Sequence, residues 1–223
     1  MKNKFLIIAS ILLLANISWS QDTKGFIAYD VYVSSDDPSS SQWIDKMENS
    51  MLEMRFVEGK IRTDLFMGDF MTQSSISQKG QDTSLVLLDG MMGKIAMKVT
   101  EEDMDEKQKE TYEVKNVELT DETKEVMGYT CKKAILTRVD DSELVVWYTD
   151  EIVPDFREGQ YLYEEIPGVP LEMTSSWGKM DMKIVAYKFK AKVKKADEKF
   201  NLSVPDGFTL KTQEEMKQMR GGQ

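Results

Sequence analysis

From residue 25 onward the chain consists of short segments in which apolar and polar residues alternate, separated by turn-forming residues. A period of two is the mark of half-buried antiparallel strands. Residues 25–34 set Ile27, Tyr29, Val31 and Val33 against Phe26, Ala28 and Asp30, which predicts an opening strand. The run Asp36-Asp37-Pro38-Ser39-Ser40-Ser41 breaks it. Trp43, Met47 and Met51 then recur every fourth position, predicting a short helix before a strand over 52–57. Four turns follow, at Glu58-Gly59-Lys60, Gly68-Asp69, Lys79-Gly80-Gln81 and Asp89-Gly90, leading into apolar runs at 61–66, 70–77, 83–88 and 94–99. Glycine and Asp-Gly steps tolerate positive φ, so these turns read as hairpins and the whole as an up-and-down meander. No alternation of strands with helices suggests a parallel sheet.

Residues 100–111 depart from this pattern, with Glu101, Glu102, Asp103, Asp105, Glu106 and Glu110 against Lys107 and Lys109, and only Met104 apolar. Thr100 can cap a first turn, and acids early with lysines late suit a helix dipole, so a short solvated helix or lid is expected. Strands resume over 112–119, 129–138 and 144–149, then after a Pro/Gly-punctuated stretch over 171–176 and 179–194. In the last of these, Val185, Tyr187, Phe189, Ala191 and Val193 alternate with Lys188, Lys190, Lys192 and Lys194. The lysine stripe is expected to guard a sheet edge, or else to meet an anionic partner. Thr212-Gln213-Glu214-Glu215 is a capping-box pattern opening a C-terminal helix. The expected fold class is mainly β, an antiparallel meander with two or three short helices.

The first twenty residues do not belong to that fold. Lys2 and Lys4 precede an apolar run over 5–17 broken only by Ser10 and Asn16, and Ser18 and Ser20 supply small residues for cleavage, the layout of an export signal. That run is shorter than the roughly 20 residues a spanning helix needs, and position 21 is Gln rather than a lipid-bearing Cys. The expectation is a cleaved signal over 1–20 and one mainly-β domain over 21–223. It would be periplasmic or secreted and monomeric, with neither lipid anchor nor transmembrane segment. Loss of Lys2 and Lys4 moves the net charge from −10 to −12, which repels nucleic-acid phosphate. No nucleic-acid partner is expected.

Composition then removes most chemistry. With no histidine there is no Ser-His-Asp or Cys-His catalysis and no HExxH zinc site. The single Cys131 excludes CxxC redox chemistry and an internal disulfide; it is expected to be buried, the alternative being a bond between chains. Carboxylate pairs such as Asp36-Asp37, Asp121-Glu122 and Asp140-Asp141 follow no calcium-loop pattern and read as solvated turns. Ser176-Trp177-Gly178-Lys179 spells S-x-x-K but falls in a turn between strands. No catalytic residue, metal site or cofactor emerges, and the chain is expected not to be an enzyme.

Methionine is the feature left over, with nine of the fifteen beyond the initiator lying between Met47 and Met104. Flexible thioethers fill cores, and they also line sites for acyl chains or hydrophobic peptides. A third use is Cu(I) binding through pairs such as Met51 with Met54 or Met180 with Met182, although such sites commonly recruit a His or Cys as well.

Val126-Met127-Gly128-Tyr129-Thr130-Cys131-Lys132-Lys133-Ala134, followed by Val145-Val146-Trp147-Tyr148-Thr149-Asp150-Glu151-Ile152, resembles an exported bacterial family, domain-of-unknown-function family 4412. Leu88-Asp89-Gly90-Met91-Met92-Gly93-Lys94 and Val204-Pro205-Asp206-Gly207-Phe208 fit the same pattern, and Pro167-Gly168-Val169-Pro170-Leu171 is similar to the Pro-Gly-Leu box of the GLPGLI group. This resemblance implies no settled activity and no catalytic residues. More distantly, the order of elements looks like the half-barrel of the LolA/LolB lipoprotein carriers, which implies a curved sheet around an apolar concavity. On this reading the chain is a non-enzymatic binding protein holding a lipid or other hydrophobic ligand, with Met54, Phe56, Phe66, Met71, Met97, Trp147 and Tyr187 as the expected lining. The alternatives are an envelope protein-interaction module and a methionine-based Cu(I) binder.

Overall fold

A computed structural model describes residues 21–103, 113–157 and 163–221. The strands are β1 (Gly25–Ser35), β2 (Met51–Val57), β3 (Lys60–Met67), β4 (Met71–Gln78), β5 (Ser84–Gly90), β6 (Gly93–Val99), β7 (Val114–Val126), β8 (Tyr129–Arg138), β9 (Glu143–Thr149), β10 (Val169–Trp177), β11 (Met180–Lys190) and β12 (Thr209–Leu210). Three short helices join them: α1 (Ser41–Met47), α2 (Ala196–Lys199) and α3 (Gln213–Gly221). The predicted signal over 1–20 and most of the acidic 100–111 segment lie outside the described residues; only a single 3-10 turn over Glu101–Asp103 is seen there.

All twelve strands form one curved, open sheet in the order β12-β6-β5-β4-β3-β2-β1-β11-β10-β9-β8-β7. This is the expected mainly-β half-barrel layout with three short helices. It consists of two meanders, β1 to β6 and β7 to β11, fused where β1 pairs antiparallel with β11. The turns at Gly59, Gly68 and Gly80 fall where the sequence predicts them, whereas the predicted Asp89-Gly90 turn lies inside β5 and the chain reverses two residues on, at Met91-Met92, because Gly93 and not Gly90 supplies the positive φ. Each of these hairpins needs a residue at positive φ. Gly59, Gly68, Gly80, Gly93, Gly128 and Gly178 all sit there. Gly68 is required twice over: a Cβ would lie 2.0 Å from the Lys46 carbonyl oxygen, where α1 passes over the β3–β4 turn.

The inner face carries the main core. Ile27, Tyr29 and Val31 of β1, Leu52, Met54 and Phe56 of β2, and Leu136, Val146, Met173 and Ile184 of the second meander join one buried cluster. The β9–β10 connection supplies Ile152, Phe156 and Ile166 to it, and the Asp155 carboxylate accepts the Gly59 amide at 3.1 and 3.2 Å on the far side. Tyr29 donates its hydroxyl to the Pro170 carbonyl at 2.9 Å, and burial holds that phenol well above its usual pKa. Among the described residues the concavity is filled; a void of about 40 Å³ beside Tyr163 and Met173 has room for a few waters, not an acyl chain.

The β4–β6 end is packed on both sides. Outward-facing Ile76, Leu85, Leu87 and Ala96 meet Leu202, Val204 and Phe208, while inward-facing Leu88 and Ile95 meet Met216 of α3. The C-terminal segment thus runs over the outer face, crosses the sheet edge as β12 parallel to β6, and returns along the inner face as α3. The predicted capping box holds α3 in place: the Glu215 amide donates to Thr212 Oγ1 at 3.2 Å and the Thr212 amide to Glu215 Oε2 at 2.8 Å.

An ion network on the outer face anchors the start of this wrap. Asp64 accepts from Arg55 at 2.6 Å, from Arg62 at 2.7 Å and from Ser74 at 2.6 Å, and Arg62 also donates to the Lys199 carbonyl at 3.0 Å. Asp64 is almost fully buried and serves both arginines, with Glu53 as a second counter-charge for Arg55.

Two expectations are corrected. The strand predicted over 179–194 ends at Lys190 and lies in the sheet interior between β1 and β10, so its lysines guard no edge. Its alternation also breaks: a bulge opposite Ala28 and Tyr29 puts Ile184 and Ala186 in the core and leaves Tyr187 without a cross-strand partner and 49% exposed. Strict period-two reading cannot see that extra residue. Met51 and Met54 face opposite sides of β2, so that pair cannot chelate a metal ion.

Two consequences can be measured. Replacing Asp64→Ala leaves the buried Arg62 without its carboxylate and Arg55 with Glu53 alone, and is expected to cost about 3–5 kcal/mol in urea unfolding. Cys131 is a buried free thiol whose burial pushes it up to about 12. Alkylation of the folded protein at pH 8 is therefore expected to run about a thousandfold slower than that of the urea-unfolded chain.

Candidate functional site

The register brings part of the predicted lining together, but on the outer face rather than in the cup. Cross-strand partners form one continuous rung over ten strands: Lys133, Trp147, Glu172, Val185, Asp30, Met51, Phe66, Thr72, Asp89 and Lys94. Of the seven predicted lining residues, Phe66 and Trp147 stand in this rung. Tyr187 projects at the bulge beside it, and Met71 lies at the β3–β4 tip beside Thr72. Met54 and Phe56 are fully buried in the inner core, and Met97 packs in the smaller cluster beneath α3. Among the described residues the seven share no common cavity.

The rung changes chemistry along its length. At the β8–β9 end the Lys124 ammonium lies 4.4 Å and that of Lys133 5.9 Å from the Trp147 ring centre. These cations are already satisfied, Lys124 by Glu172 at 2.7 Å and Lys133 by Glu122 at 2.7 Å. Burial would raise the Glu172 carboxyl, but hydrogen bonds and charge from Lys124 and Lys183 outweigh it and hold the group below its usual range. This end is a closed set of ion pairs on an aromatic ring.

The middle is different. Asp30 has no ion-pair partner among the described residues, and Tyr32 donates its hydroxyl to it over a long 3.4 Å. Tyr32 is 57% exposed. The Tyr187 phenol is held above its usual pKa by burial first and then by the negative charges of Asp30 and Glu53. Met51 and Phe66 continue the rung as partly exposed apolar surface.

At the β3–β4 and β5–β6 tips the rung opens into a recess of about 640 Å³ lined by Gly68, Asp69, Phe70, Met71, Thr72, Asp89, Gly90 and Met91. Gly90 makes room for its neighbour, since a Cβ there would sit 3.3 Å from Met71 Cβ and Cγ and 2.9 Å from the Phe70 carbonyl. Met91 is 91% exposed and Met92 is also exposed, an unusual position for apolar side chains at a turn. Met71, singled out in the sequence, borders this recess, whereas Phe70, Met91 and Asp30 were not singled out. Phe70 reads as the first residue of a strand and Met91 as a link between a turn and the next strand, and an acid on a strand carries no signal until its neighbours are known.

Comparison with known proteins adds a family. Among curated proteins none matches this sequence. Solved structures that align include MucB, 12% identical over 84% of this chain with a TM-score of 0.41; this chain spans 60% of MucB. Others are the lipoprotein LppX of Mycobacterium tuberculosis (11% identical, 87% of this chain and 100% of that one, TM-score 0.37) and the LolA superfamily protein NE2245 from Nitrosomonas europaea (8%, 81% and 91%, TM-score 0.35). Among the described residues no helix is long and apolar enough to cross a membrane. The family model that matches is not that of family 4412, which the Gly128 to Ala134 block resembles, although that block falls inside the matched span. It is the model of the N-glycanase peptide N-terminal domain, matched over residues 71–202, and the chain belongs to that family.

Proposed function

We propose that this chain is an exported, non-enzymatic binding domain that takes an apolar segment of a polypeptide partner in the recess at its hairpin tips. The observation that carries this reading is the recess itself, where Phe70, Met71 and Met91 offer apolar surface to solvent beside the Asp69 and Asp89 carboxylates. Thioether side chains repack around varied shapes at little cost, which suits a surface that accepts more than one sequence. An acyl chain is better held by an enclosed apolar cavity, whereas this site is open and its polar rim can pair with a peptide backbone. A binding role also fits the absence of histidine and the inert, buried Cys131. The family name supports a domain that accompanies an N-glycanase. The export signal over 1–20 supports action outside the cytoplasm.

The test uses an environment-sensitive hydrophobic dye displaced by a leucine-rich peptide or by laurate. Burying two methionine side chains on binding is worth about 1.5–3 kcal/mol each, so Met71→Ser with Met91→Ser is expected to weaken peptide binding at least tenfold. Unchanged peptide affinity in that variant, or displacement by laurate alone, would sink the reading.

A further inference from the structure

We infer that the partner segment carries a cationic side chain, arginine or lysine, that docks on Asp30 between Tyr32 and Tyr187 while its apolar residues run over Met51 and Phe66 into the recess. The inference rests on the apolar-recess reading and adds a second anchor to it. Continuity is the first argument. Asp30, Met51, Phe66, Thr72 and Asp89 are direct cross-strand partners on successive strands, so the acidic spot and the recess are two ends of one strip. Four inter-strand steps span about 19 Å, close to six residues of extended peptide.

Charge complementarity is the second. Lys124, Lys133 and Lys183 of the neighbouring strands are neutralised by Glu122 and Glu172, and Glu53 by Arg55, which leaves Asp30 as the carboxylate of this rung without an ion-pair partner among the described residues. Two exposed tyrosine rings beside a free carboxylate suit a guanidinium or ammonium, which gains from the ring faces and from the charge together. A chain of net charge −10 also steers a basic partner toward its surface. The register supplies the geometry: Tyr187 follows Val185, the cross-strand partner of Asp30, by two residues, and the bulge opposite Ala28 and Tyr29 leaves it without a cross-strand partner of its own.

The experiment measures two synthetic peptides by fluorescence anisotropy. One carries a cluster of leucines followed six residues later by arginine; in the other that arginine is glutamine. The wild-type protein is expected to bind the arginine peptide about tenfold more tightly, with the difference shrinking as salt rises. Asp30→Asn is expected to abolish the difference without changing affinity for the glutamine peptide, and exposed Tyr32→Ser with Tyr187→Ser to reduce it severalfold in a protein that melts normally. Met71→Ser with Met91→Ser should weaken both peptides alike. Equal affinity of the wild type for the two peptides, or equal loss for both in Asp30→Asn, overturns the cationic anchor and leaves the recess standing. Failure of both peptides to bind the wild type overturns both readings.

Discussion

The pairing of β1 with β11 is the constraint on which the rest of this structure depends. Each meander could form from local hairpins, but neither buries its apolar side alone, and only the β1–β11 ladder fuses them into a surface wide enough to enclose a core. The ladder sets both faces together. Inward, it places Ile27, Tyr29 and Val31 against Ile184 and Ala186, and Tyr29 reaches through to the Pro170 carbonyl, locking β10 into the same core. Outward, its bulge releases Tyr187 beside Asp30. A ladder without that extra residue would move every side chain on one flank to the opposite face.

An open sheet of twelve strands has two edges, and this chain treats them differently. At β6 the C-terminal segment crosses from outer to inner face, covering Leu85 and Leu87 on one side and Leu88 and Ile95 on the other. Its two-residue parallel contact with β6 is too short to be a strong ladder, so the wrap depends on its ends, the Arg62 bond to the Lys199 carbonyl and the capped helix α3. At β7 the register shifts twice along the strand, and such irregularities spoil a template for another chain. The matched family span ends at Leu202, so most of the wrap is a device of this chain beyond it.

How much of this was legible in the sequence follows from how local each signal is. Hairpin turns were readable because a glycine at positive φ is a property of a few consecutive residues, as at Gly59 and Gly80. The Thr212 to Glu215 capping box was readable for the same reason. The long ladder between β1 and β11 pairs residues more than 140 positions apart, and nothing in either segment names its partner. The site depended on that ladder. Phe66 and Trp147 were singled out for their residue type, yet their common face appears only when ten strands are in register. Met54 and Phe56 have the same types on the buried side and are simply core.

The location of the site follows from how the inner face is filled. A curved sheet invites a ligand in its hollow, but here the β9–β10 connection brings Ile152, Phe156 and Ile166 into that space and Asp155 clasps the opposite turn at Gly59. On the proposed reading, recognition falls to surface that folding does not consume: hairpin tips, where Met91 gains nothing for stability, and the outer rung, whose charges are nearly all paired off. An unpaired carboxylate on a strand adds little to a fold, and exposed tyrosines add little more. Their meeting on one strip with an apolar recess at its end is a cost to solubility that a partner's apolar and cationic side chains would offset.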